Sequence, residues 1–87
     1  MSEKMMKLIR TMEEQMNTQI LLYQHNFKSY ELALVELKEV RNRFERLRSD
    51  LFLFEMLSQS DYINTSMTAY DMYDKYHNKL LSIYYSK

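Results

Sequence analysis

The chain has 87 residues with 12 basic and 12 acidic side chains, so its formal net charge is zero and no global field draws it towards nucleic acid or anionic lipid. It contains no Gly, Pro, Cys or Trp, which excludes Gly-rich phosphate loops, disulfide frameworks, thiolate catalysis and Cys-bound zinc or iron–sulfur clusters. At this length one domain is the limit, and a 46% hydrophobic content is enough to build a core.

Apolar residues recur at helical spacing along most of the chain. Met5, Ile9, Met12, Met16, Tyr23 and Phe27 form one stripe with Ile20 at its edge, Ser2 is placed to cap, and Glu3 suits the first-turn dipole. This spacing predicts helix A over residues 3–25. A second stripe, Tyr30, Ala33, Leu34, Leu37, Val40, Phe44, Leu47, Leu51 and Phe54, predicts a long helix B over 28–57 with heptad-like steps. The two stripes almost join in register across 25–30, so one continuous helix is the alternative. Residues 58–64 read as a loop, with Ser58, Asp61 and Asn64 favouring caps and turns. Helix C follows over 65–85, with Met67, Tyr70, Tyr73, His77, Leu80, Leu81 and Tyr84 on one face.

The fold expected is therefore all-α: an antiparallel three-helix bundle, or a long helical hairpin with coiled-coil-like packing. Helix B at about 1.5 Å per residue would span roughly 45 Å, more than helices A and C could cover. That mismatch favours oligomerisation or a bound partner. Residues Met1–Arg10 mix charge with Met instead of leading into an apolar signal segment. The longest nearly unbroken apolar run, Leu51–Leu57, is far short of the ~20 residues a bilayer requires. A soluble, cytoplasmic protein is expected.

Three groups of residues could carry function. Asp71, Asp74 and His77 lie one helical turn apart and could share a metal, but a di-iron bundle needs two such pairs and two further carboxylates; no metal or other cofactor is expected. Arg41, Arg43, Arg46 and Arg48 gather four of the five arginines within two turns, interleaved with Glu36, Glu39 and Glu45, which can pair with them. A nucleic-acid helix would instead concentrate its cations on one face, so phosphate contact through Arg43 and Arg46 is the second reading. The third group is Phe52, Leu53 and Met56, which point away from the helix B stripe together with Val35 and, less closely, Leu32. A helix apolar all round must be covered all round, and a chain this short has little left to cover it. The competing reading is that helix C folds over both sides, with Tyr62 and Ile63 closing the end.

Two histidines, no Cys and no nucleophile elbow leave catalysis without a footing. The stretch Ser58-Gln59-Ser60-Asp61 resembles in part the Ser-Gln-x-x-Asp stretch of sporulation aspartyl-phosphate phosphatases. It departs from that pattern in the position of its Asp and in lacking the intervening Leu, and no family is assigned. The function expected is a non-catalytic protein–protein interaction module (an adaptor, assembly subunit or inhibitor acting by occlusion) that binds another protein or itself as a homodimer. Its contact surface would use Phe52, Leu53, Met56 and Val35, flanked by Arg41 and Arg48.

Overall fold

The computed structural model describes residues 2–87 and contains three long helices and one short one: α1 (Glu3–Gln24), α2 (Tyr30–Leu53), α3 (Gln59–Asn64) and α4 (Thr68–Ser86). The first three start on serine caps. The Ser2, Ser29 and Ser58 hydroxyls accept from the backbone N–H of Met5, Leu32 and Asp61 at 3.2, 3.2 and 3.1 Å. Each satisfies one of the orphan donors of a helix start. No side chain caps α4; the chain enters it from Thr65, whose buried hydroxyl donates back to the Asp61 carbonyl at 2.7 Å.

Both long helices that precede α3 end in the same way, and without glycine. Asn26 and Glu55 take positive φ, 65° and 58°. At the first, the N–H of Phe27 donates to the Leu22 carbonyl (2.8 Å) and that of Asn26 to Tyr23 (3.0 Å); at the second, Met56 donates to Leu51 (2.8 Å) and Glu55 to Phe52 (3.1 Å). These are paired Schellman bonds, which close the last carbonyls and turn the chain sharply. So helices A and B are two helices, and the continuous alternative does not hold. Helix B stops at Leu53 instead of residue 57, and the expected loop 58–64 is mostly the short helix α3. The length mismatch goes with it: 24 residues of α2 against 22 of α1 and 19 of α4 give about 36, 33 and 29 Å.

Glu is a poor residue for the left-handed region, where a Cβ costs roughly 1–2 kcal/mol. Glu55→Gly is therefore expected to stabilise the fold by about 0.5–1 kcal/mol once the added freedom of the unfolded chain is subtracted. A rise in the urea midpoint at unchanged slope would register it; an unchanged or lower midpoint would mean that the turn is not held as described. Asn tolerates this region better, so Asn26→Gly should gain less.

The long helices pack pairwise around one core, up, down and up, and α3 lies against α2. One end gathers the start of α1, the end of α2, α3 and the start of α4, tied by the Ser2 N–H donating to the Asp61 carboxylate at 2.9 Å. The opposite end is closed by Lys87, whose ammonium sits 4.2 Å over the Tyr23 ring, and by Tyr30 packed on Tyr84. The bundle measures 46 × 18 × 18 Å, a short rod.

Met5, Met12, Met16, Ile20 and Tyr23 from α1 meet Ala33, Leu37, Val40 and Phe44 from α2 and Ala69, Tyr73, Tyr76 and Leu80 from α4, with Leu57 sealing one end. The stripes expected from spacing are largely these. Ile20 is central and not marginal, and Tyr76 and Ala69 take the place of Tyr70 and Met67. Phe27 and Phe54 leave the core altogether, being 80% and 74% exposed, because each lies beyond the last helical residue, where the chain has already turned.

Candidate interaction surface

The four clustered arginines point in four directions. Arg41 lies over the rings of Tyr70 and Tyr73 on α4, at 5.3 and 4.7 Å. Arg43 turns towards α1 and donates to Gln15 Oε1 at 3.3 Å. Arg46 faces solvent. Arg48 goes inwards: it is 6% exposed, donates through Nη1 to the Tyr62 carbonyl at 2.6 Å, and makes a two-pronged contact with Glu45 at 3.3 and 3.0 Å. Its guanidinium also lies 4.3 Å over the Tyr62 ring. Arg48 is thus a structural tie between α2 and α3 and not the polar flank of a contact surface. Spacing could not reveal this, because a buried Arg and a rim Arg occupy the same helical positions until the partner carbonyl is known.

Around residues 51–57 the sequence-based assignment is partly reversed. Leu51 packs on the core and Leu57 is buried. Phe52, expected to be exposed, is half-buried and stacked on Tyr62, with centroids 4.3 Å apart and 19° between planes. Leu53 and Met56, expected to be exposed, are so at 73% and 54%, and Phe54 joins them. Phe52, Leu53, Glu55, Met56, Leu57 and Ser58 line an open hollow at this end of the bundle. Ile63 and Met67 are also more than half exposed at the same end. Tyr62 does close over α2 as the competing reading required; Ile63 does not.

Besides Arg48, two further residues assigned to this surface lie away from the bundle end. Val35 is exposed but lies 18 residues before Leu53 on α2, about 27 Å along the axis. Arg41 is committed to the α4 tyrosines. Phe54, Ile63 and Met67 are exposed apolar residues at this end that the sequence reading did not place on the surface. The only signal that could have found Phe54 was a helix end carried by Glu in a left-handed conformation, a position for which Gly is the usual mark.

Among the described residues no three His, Asp or Glu side chains come together to hold a metal ion. Asp71 and Asp74 are exposed, and His77 stacks on Tyr73 with centroids 5.4 Å apart. Asp61 is engaged by the Ser2 N–H and sits in the first turn of α3. Burial pushes the Tyr73 phenol above its ordinary pKa, against the pull of Arg41 and with Asp74 adding to the rise. Burial, and then the Glu13 carboxylate, does the same for Tyr76. Both phenols therefore stay protonated near neutrality, the opposite of what an activated tyrosine requires. No described helix is long and apolar enough to cross a membrane.

Compared with protein-family models, with curated proteins and with solved structures, the chain finds no match.

Proposed function

We propose that the protein is a non-catalytic protein–protein interaction module whose docking surface is the apolar end of the bundle formed by Leu53, Phe54 and Met56, with Ile63 and Met67 at its margin. The observation that carries this reading is the exposure of three large apolar side chains within four residues, where a compact core has been completed beneath them by Leu51 and Leu57. Scattered exposed hydrophobics are ordinary on any protein; a contiguous group around a hollow is the pattern of a contact site. Methionine and phenylalanine suit the role, since one adapts its shape and the other provides a large area at little conformational cost. The partner is a protein presenting an apolar projection, and the module acts by occupying or bridging, as an adaptor, assembly subunit or inhibitor. Phosphate contact through Arg43 and Arg46 has weaker support, because the arginine group diverges and Arg48 is consumed by the fold.

The test uses Leu53→Asp combined with Met56→Asp. Neither side chain supports the core, so the far-UV helix signal should be retained. Cross-linking in cells that make the protein should join the wild-type chain to one protein in stoichiometric amount, and the variant should lose that product. Identical products from both would overturn the assignment. An unfolded variant would place these residues in the core and overturn it equally.

A further inference from the structure

The methionines of the described residues fall into two sets. Met5, Met12 and Met16 are sealed in the core at 0%, 2% and 0% exposure, and Met72 packs on that core. Met6, Met56 and Met67 are 51%, 54% and 58% exposed. All three of the exposed ones belong to the end of the rod where α1 starts, α2 ends and α4 starts. Met56 lines the open hollow there, and Met67 is the residue from which α4 begins. With neither Cys nor Trp in the chain, no thiol or indole competes with these thioethers for a two-electron oxidant.

We infer that Met56 and Met67 form an oxidation site, at which a peroxide makes the apolar end of the bundle polar while the core keeps its packing. The sulfur lone pair attacks the terminal peroxide oxygen, the O–O bond breaks as the S–O bond forms, and the remaining oxygen leaves with the proton as alcohol or water. Sulfur loses two electrons and the peroxide gains them. A methionine sulfoxide reductase reverses the step, releasing the oxygen as water while a pair of thiols becomes a disulfide. In the core, a sulfoxide would bury an unpaired polar oxygen and disrupt the fold; the sealing of Met5, Met12 and Met16 prevents this. At the exposed end the new oxygen is hydrated, so the chain itself loses nothing. The consequence for binding rests on the contact surface proposed above: an apolar partner must strip water from each sulfoxide it covers, which weakens the contact about tenfold per group.

The full chain treated with tert-butyl hydroperoxide tests this by peptide mass mapping, far-UV circular dichroism and the fluorescence of anilinonaphthalenesulfonate, a dye that reports exposed apolar surface. Met56 and Met67 should each gain one oxygen, as should Met6, well before Met5, Met12 and Met16 gain any. The helix signal should stay, while dye fluorescence falls severalfold and returns after reductase treatment. Met56→Leu combined with Met67→Leu keeps an apolar surface without thioethers, and should bind the dye before and after peroxide. Met6 does not line the hollow, so Met6→Leu should lose the dye as the wild type does. Core methionines oxidised along with the exposed ones overturn the inference, as does a helix signal lost with the exposed set. So does a wild-type dye signal that is absent or survives treatment, or one that the double Leu variant fails to protect or Met6→Leu protects. Cells exposed to the same peroxide should lose the cross-linked product with the wild-type chain and keep it with the double Leu variant. A chain that never captures a partner strikes the contact surface and leaves the oxidation site standing, so the two readings can fail separately.

Discussion

Replacing Arg48 by Ala is expected to cost about 3 kcal/mol of folding stability, a large share of the roughly 4–13 kcal/mol available to a domain of this size. Three contacts disappear together. The Tyr62 carbonyl loses a charged donor at 2.6 Å, Glu45 loses a two-pronged partner, and the Tyr62 ring loses the guanidinium that covers it. The Glu45 side chain is 22% exposed and can turn to water, so most of the loss lies at the Tyr62 carbonyl, which keeps only the longer 3.3 Å bond from the Thr65 hydroxyl. Tyr62 in turn supports Phe52 by stacking, and the α2–α3 corner should loosen as a unit. Arg48→Lys keeps the charge but not the planar fork, and should recover only part of the difference. Arg48→Met keeps the packing of the stem and tests how much is apolar. Urea unfolding followed by circular dichroism measures all three. A loss under about 0.5 kcal/mol for the Ala variant, the scale of an ordinary surface change, would contradict the structural role assigned to this residue.

The contrast between Arg48 and Phe54 explains what the sequence could and could not reveal. Helix identity, the antiparallel order and most core positions follow from periodicity, because burying an apolar stripe at 3.6 residues per turn has few solutions. Leu37, Val40 and Phe44 were legible in this way. Helix ends were not. Without Gly the two Schellman turns fall on Asn26 and Glu55, residues that give no advance notice of a left-handed backbone. Misplacing the second turn by four residues carried Phe54 into an imagined core, and reading α3 as a loop left Phe52 without the Tyr62 ring that covers it. The exposed apolar group at this end of the bundle was consequently read with Phe52 in it and Phe54 outside it. Tertiary partners were the second blind spot. The destination of Arg48 is a carbonyl 14 residues away, on a segment read as a loop. Arg43 was read as a member of a mixed-charge helix surface that could pair within α2; it turns instead to Gln15 on α1.

Leu37→Ala should cost about 2–5 kcal/mol, whereas Phe54→Ser should change stability by no more than about 0.5 kcal/mol in either direction. Leu37 is fully buried at mid-height on α2, where side chains from all three long helices converge. Removing its branched end leaves a void that stiff helices cannot collapse to fill, so the cavity term adds to the lost transfer energy. The larger aromatic side chain of Phe54 is 74% exposed and has little left to lose. By size alone the order would be reversed, since Phe truncation in a core costs as much as Leu truncation or more. The pair of variants therefore asks where the core of the single chain ends. If Phe54→Ser were to unfold the protein while Leu37→Ala did not, the apolar end of the bundle would be part of an obligate assembly core, and the chain would have no folded monomer to dock with anything. If the order holds, the three-helix core is complete without Phe54, and the apolar end remains free to contact a partner without that contact being required for folding.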